Sequence, residues 1–309
     1  MNGRENSNSN SNINTAAQHS NCTATAQSKK ARRKTASLLL NLHLTLATMK
    51  IEGNVFAVTG GASGLGEGTA RMIIENKGKV IILDMNEENG ERIASELGED
   101  AAFVKMNLLK EKSIAEAVQA AHAKWGRIDG LISCAGVGSG KKIVSRKGKP
   151  HDMKTFEIVL RINLIGLFSV VSKCAALMTQ NEPNGDGERG IIINVASVAA
   201  FEGQNGQVAY SASKGGVVSM TLPIARDLGK LGIRINTICP GIMATPMTAG
   251  FETPAGERVG NSLKKAQIFP THRFGVPAEF AMLAKLMIEN PIMNAESVRL
   301  DGGIRMPKL

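Results

Sequence analysis

The sequence predicts an α/β domain in which a doubly wound, parallel, seven-stranded sheet carries helices on both faces. Three observations lead there. From Met49 onward short β-branched runs alternate with helical stretches, the pattern of repeated βα units. The strand candidates are apolar almost without interruption, as strands covered on both faces are. A glycine-rich turn, residues 60–66, lies directly after the first of them. No internal repeat and no second folded domain is visible, so residues 49–309 read as one domain and residues 1–48 as an extension.

The extension is rich in Asn, Ser, Thr, Ala and Gln up to about residue 28, a composition too polar to offset chain entropy, and it is expected to be disordered. Lys29, Lys30, Arg32, Arg33 and Lys34 follow, and then a short leucine-rich stretch. Basic, Ser-rich and nearly acid-free, this is the composition of a mitochondrial transit peptide. The alternative is a non-functional extension ahead of a start at Met49, with a cytoplasmic protein. The extension holds six basic side chains against Glu5, half of the formal net charge of +10. The charge is therefore a weak argument for nucleic acid, and aromatics at 4%, with one Trp and one Tyr, weaken base stacking as well. Four cysteines without Cys-x-x-Cys spacing point to reduced thiols, and the five histidines never pair at ligand spacing, so no metal is expected. No apolar run reaches the roughly 18 residues of a membrane helix, so no membrane partner is expected.

In chain order, strands are predicted over residues 55–59, 80–84, 102–105, 130–134, 191–195, 233–238 and 297–300. Helices are predicted between them, among others over 66–76, 113–124, 155–179, 210–228 and 277–289. The first turn reads Thr59-Gly60-Gly61-Ala62-Ser63-Gly64-Leu65-Gly66 and opens a helix. Glycines there let the chain approach a pyrophosphate, and the free N–H groups of the helix end attract the anion, so the turn predicts a Rossmann-type dinucleotide site. Asp84 ends the second strand. Its carboxylate suits a ribose diol and repels a 2′-phosphate, and no Lys or Arg lies between Gly60 and Gly66, which favours NAD over NADP.

The strand over 191–195 leads into Ser197, with Tyr210 thirteen residues later and Lys214 one helical turn beyond that. Residues i and i+4 share a helix face, so Lys214 is placed to bring its ammonium near the phenol. With Lys214 and an oxidised nicotinamide close by in a poorly solvated cleft, the phenol is expected to fall from its ordinary pKa of ~10 and become a general base. Ser197, at a strand end, is expected to orient the substrate oxygen. An isolated serine is ordinarily a cap or turn residue; the only tyrosine of the chain at this spacing argues for more.

Thr-Gly-x3-Gly-x-Gly, Asp84, Ser197/Tyr210/Lys214 and Pro240-Gly241 together resemble the short-chain dehydrogenase/reductase family, from Met49 to Leu309. The resemblance implies a fourth catalytic residue, Asn163, which distorts its helix and holds a water joining Lys214 to a proton relay. It also implies that Ser63, Leu65 and Asp84 meet the adenosine and pyrophosphate side, Cys134 the ribose, and Met243 and Thr245 the nicotinamide amide. Two departures are visible. The adenine position, usually Asp, is Asn107 beside Leu108, and the Asn-x-Ala-Gly motif begins with Ser133. A homotetramer is a further implication.

Met243, Met247, Phe251, Leu263, Ile268, Phe269 and Phe274 are spaced too irregularly for one helix face, and either close over an apolar acyl chain or pack the last helices. Lys141, Lys142, Arg146, Lys147 and Lys149 form either a coenzyme A phosphate site or a solvated loop. The expected reaction is NAD-dependent oxidation of a secondary alcohol, which the resemblance implies is C3 of an (S)-3-hydroxyacyl-CoA in lipid metabolism, with a hydroxysteroid as the alternative substrate. An RNA-binding or scaffold subunit is the alternative of another class; it leaves the Ser, Tyr, Lys and Asn set without a use.

Overall fold

The computed structural model describes residues 48–268 and 272–306. The transit-peptide and disorder expectations for residues 1–47, and the one for Phe269, lie outside the described residues. Seven parallel strands form one sheet: β1 (Val55–Thr59), β2 (Lys79–Asp84), β3 (Ala101–Lys105), β4 (Gly130–Ser133), β5 (Gly190–Val195), β6 (Ile233–Pro240) and β7 (Ser297–Leu300), in the order β3-β2-β1-β4-β5-β6-β7. All neighbours pair in parallel, with Phe56 opposite Val80 on one side and Gly130 on the other. The order reverses between β1 and β4, which opens a crevice at the carboxyl ends of the strands.

Eight helices are described: α1 (Gly64–Glu75), α2 (Glu87–Leu97), α3 (Glu111–Trp125), α4 (Met153–Leu160), α5 (Leu167–Met178), α6 (Val208–Leu228), α7 (Glu257–Ala266) and α8 (Pro277–Glu289). Successive strand residues face opposite sides, so the strands feed two cores. Val55, Ala57, Leu131 and Ile192 pack under α3, α5 and α6. Phe56, Val58, Ile82 and Ile193 pack under α1, α2 and α8. Every residue of β1, β4, β5 and β6 is buried, which is why their sequences run apolar without alternation.

The structure departs from the sequence reading at a few boundaries and in one helix. β6 runs on to Pro240, a position where the missing N–H costs no rung because the next rung is Gly241 N–H to Leu300 O at 2.9 Å. The helix read over 155–179 is interrupted: Arg161–Gly166 is a π-helical turn between α4 and α5. By length and mean hydropathy (1.7) the helical run Met153–Met178 also qualifies as a membrane span, which corrects the expectation that no stretch does. Half of its most apolar window is buried inside the protein, as befits a core helix lying on the sheet. Two helices were not named from sequence, α2 and α7; Asn86 Oδ1 caps α2 by accepting the Asn89 N–H at 3.1 Å.

Candidate active site

The glycine turn fits a dinucleotide. Gly60 has φ +67°, and a Cβ there would stand 2.7 Å from Ala135 N; a Cβ on Gly66 would stand 2.2 Å from Gly60 O. The turn is thus packed backbone on backbone and leaves the N-terminus of α1 facing the crevice. Ser63 is its N-cap residue, exposed and making no side-chain cap bond, so its hydroxyl is available to an anion. Asp84 closes the turn from β2: Oδ2 accepts the Ala62 N–H at 3.1 Å and Oδ1 the Asn86 N–H at 2.9 Å.

Gly60, Ser63, Gly64, Leu65, Gly66, Asp84, Asn107, Leu108, Cys134 and Thr245, all expected in the cofactor set, line one cleft of about 350 Å³. Met243, Tyr210 and Lys214, the other members of that set, line the neighbouring catalytic cavity instead, with Met243 and Lys214 buried. No Lys or Arg lines the cleft among the described residues. The Asn107 side chain is partly committed, since Oδ1 accepts the Leu109 N–H at 2.9 Å. Burial pushes the Cys134 thiol up to about 12, so it meets a ligand as a neutral apolar group.

The second cavity, about 480 Å³, is lined by Ser197, Tyr210 and Lys214, and it shares Leu65, Cys134, Gly136, Thr245 and Met247 with the cleft. Ser197 follows β5 directly, where the strand end and the first turn of α6 converge. Its Oγ accepts the Ala199 N–H at 3.1 Å, and it is hydrogen-bonded with the Tyr210 phenol. Lys214 is buried; its Nζ donates to Val195 O at 2.7 Å and lies 5.8 Å from the centre of the Tyr210 ring.

The expected lowering of the Tyr210 pKa is absent in the protein alone. Burial of the phenol raises it, and only the Ser197 hydrogen bond opposes that. The ammonium that was to stabilise the phenolate is itself disfavoured by burial, which brings Lys214 down to about 8. The carbonyl of Val195 and the ring contact hold the amine at the site, and the positive charge of a bound cofactor has to add to that of the Lys214 ammonium before the phenol falls below its ordinary value.

Asn163 sits in the π-turn, fully buried. Its Oδ1 accepts the Val137 N–H at 2.8 Å, and its Nδ2 donates to Val137 O at 2.9 Å and to Ser213 Oγ at 3.1 Å. The amide therefore fastens the segment after β4 to α6, next to Lys214, and its side chain is spent on protein partners. Gly136 was missed from sequence: a Cβ there would lie 3.2 Å from Asn163 Oδ1 and 3.5 Å from Lys214 Nζ. Its signal is its place at the end of the motif that begins with Ser133, just past β4. Met306 and Gln207, also on the cavity wall, gave none.

Of the apolar segment, Met243, Met247, Phe251 and Leu263 line the cavity. Phe274 packs behind Phe251, ring centres 6.4 Å apart, and Ile268 is exposed. Both expectations are thus met in part. In the basic loop Lys141 is paired with Asp152 at 3.2 Å, and residues 141–150 are all exposed beside Gly138, Ser139 and Gly140 of the cavity rim.

A glycine-rich cofactor turn beside a Ser-Tyr-Lys-Asn constellation defines a class, and residues 54–255 match the family model of the short chain dehydrogenases. The chain belongs to that family and is an oxidoreductase. The human 3-hydroxyacyl-CoA dehydrogenase type-2 is 46% identical over 264 residues, 85% of this chain and 99% of that protein. The protein of the same name from Drosophila melanogaster is 46% identical over 257 residues, 83% and 99% of the two chains. The crystal structure of 3-hydroxyacyl-CoA dehydrogenase type-2 from Mycobacterium avium is 38% identical with TM-score 0.77, covering 83% of this chain and 97% of its own. That of 3-ketoacyl-(acyl-carrier-protein) reductase from Brucella melitensis, complexed with NADH, is 28% identical with TM-score 0.72, covering 82% and 99%.

Proposed function

We propose that this chain oxidises (S)-3-hydroxyacyl-CoA to 3-oxoacyl-CoA with NAD, and runs the reverse reduction with the same groups. The observation that carries the reading is the convergence of Ser197, Tyr210 and Lys214 on a largely apolar cavity that opens into the glycine-rich cleft. Ser197 donates to the C3 oxygen and fixes it against Tyr210, which takes the hydroxyl proton as general base. Lys214 holds a positive charge beside the phenol, and Asn163 keeps Lys214 and the segment after β4 in register. Oxidised nicotinamide, when bound, accepts the hydride and brings the positive charge that favours the phenolate. Asp84, with no cation among the described residues lining the cleft, supports NAD over NADP.

The acyl chain enters between Met243, Met247, Phe251 and Leu263, and the exposed cations Lys142, Arg146, Lys147 and Lys149 at the rim receive the coenzyme A phosphates. The names of the relatives support the same substrate class. Reduction of acetoacetyl-CoA, followed by loss of NADH absorbance, with NADPH and a ketosteroid as parallel arms, tests the reading. Preference for acetoacetyl-CoA and NADH is the expected result; turnover of the steroid alone replaces the substrate assignment.

Two wider assignments belong to this reading. Exposed Ile158, Ile165 and Phe168 on the α4–α5 run support a homotetramer built on that helix. The composition of residues 1–48 supports mitochondrial targeting, and the acyl-CoA substrate class supports a place in lipid metabolism. Import of those residues fused to a reporter, with cleavage near Met49, is the expected outcome; a reporter left in the cytosol overturns it.

A further inference from the structure

Met306 lines the catalytic cavity with Ser197 and Tyr210, although it comes from the C-terminal segment after β7. One carboxylate sets its place. Glu202 Oε2 accepts the Met306 N–H at 2.8 Å, while Oε1 accepts Arg299 Nη1 at 2.7 Å. Arg299 also donates to Asp301 Oδ2 at 2.8 Å and to the Ile304 carbonyl at 3.0 Å, and the Ile304 side chain is fully buried. Arg305 adds a contact of 3.6 Å to the same carboxylate. Glu202 itself lies just beyond Ser197, and its own N–H donates to Val198 O at 2.9 Å.

The carboxylate therefore joins the loop that carries the catalytic serine to the segment that carries a wall of the cavity. A lone surface ion pair contributes little, but this one has two guanidinium groups, a backbone amide and a buried anchor arranged around it. Arg299 holds the Glu202 carboxyl below the ordinary value, so it is charged at neutral pH.

We propose that Glu202 is a positioning residue that clamps residues 301–306 over the cavity, so that Met306 forms the acyl-pocket wall and sets which acyl chains fit. The proposal rests on the acyl-substrate reading for its choice of substrate but not for the clamp. Methionine suits such a wall because its unbranched thioether adapts to chains of different shape.

Glu202→Gln keeps the acceptor and removes the charge, Glu202→Asp keeps the charge, and Met306→Ala removes the wall. Tryptic cleavage after Arg305, read by mass spectrometry on the full chain, reports the clamp without any substrate. Expected are cleavage at least 5-fold faster in Glu202→Gln, a KM for acetoacetyl-CoA at least 5-fold higher with KM for NADH and kcat unchanged, and partial rescue in Glu202→Asp. Met306→Ala is expected to change the kcat/KM ratio between four-carbon and longer 3-oxoacyl-CoA at least 5-fold. Unchanged cleavage in Glu202→Gln overturns the clamp, and an unchanged ratio in Met306→Ala overturns the wall. Should the wild type reduce only the ketosteroid, the substrate reading has failed; the cleavage arm still decides the clamp, and ketosteroids of different length replace the acyl series for the wall. NADH fluorescence confirms that each variant is folded.

Discussion

At the scale of single residues, two side chains of the site work against their own solvation. Tyr210 is raised by burial and Lys214 lowered, so each is disfavoured in the charged form the chemistry uses. Tyr210→Phe removes the base, and kcat for alcohol oxidation is expected to fall about 100- to 10,000-fold while NADH still binds, as measured by turnover and by fluorescence titration. Lys214 makes a second prediction through linkage. Its pKa is about 8 when folded against 10.5 as the ordinary value, so between those pH values the unfolded chain binds more protons and stability rises with pH. Below about pH 8 the fold carries a cost of about 3 kcal/mol for the buried ammonium. Lys214→Met is therefore expected to abolish turnover yet raise the melting temperature at pH 7 by about 5 °C, after about 1 kcal/mol is deducted for the lost bond to Val195. The gain should shrink toward pH 10. At Asp84 the prediction concerns selectivity: Asp84→Ala should raise the KM for NAD about tenfold and improve the use of NADP, because the variant no longer repels a 2′-phosphate.

At the scale of elements, β6 and α8 are tied by one buried guanidinium. Arg234 donates to Glu188 Oε1 at 2.6 Å and to the carbonyls of Met287, Ile288, Asn290 and Met293 at 2.7 to 3.1 Å, which satisfies the open C-terminal end of α8. Arg234→Ala leaves Glu188 buried without its partner, and a loss of about 3–5 kcal/mol in urea unfolding is expected. Lysine, a single point donor, should not restore it. The same scale shows what was legible beforehand. The strands were, because burial on both faces writes continuous apolar runs. Tyr210 and Lys214 were, because their contact is local to one helix. The π-turn at Asn163 was legible only through the family resemblance, since a change of hydrogen-bond register by one residue scarcely disturbs the apolar spacing. The Glu202–Arg299 pair was not legible: its members stand 97 residues apart and meet only because β5 and β7 both border β6.

At the scale of the whole molecule, the α4–α5 run is the most informative surface. Phe168 is 50% exposed and Ile165 59%, more apolar surface than a helix facing only water would keep. Light scattering is expected to give the mass of four chains, and Phe168→Glu a smaller species. That single change places a charge at the centre of the patch without touching the cavities.

The π-turn has one more consequence. In chain arithmetic it is a helix carrying one residue too many, and deleting any one of residues 161–166 would let the helix close into a regular α-helix. The flanking turns would stay in line, but the widened turn that seats Asn163 against Val137 and Ser213 would be gone. The expected product is a well-formed helix and a dead enzyme. What guards this position is the tally of residues along the helix as much as the letter at position 163, so here a three-base deletion in the coding sequence is the graver lesion.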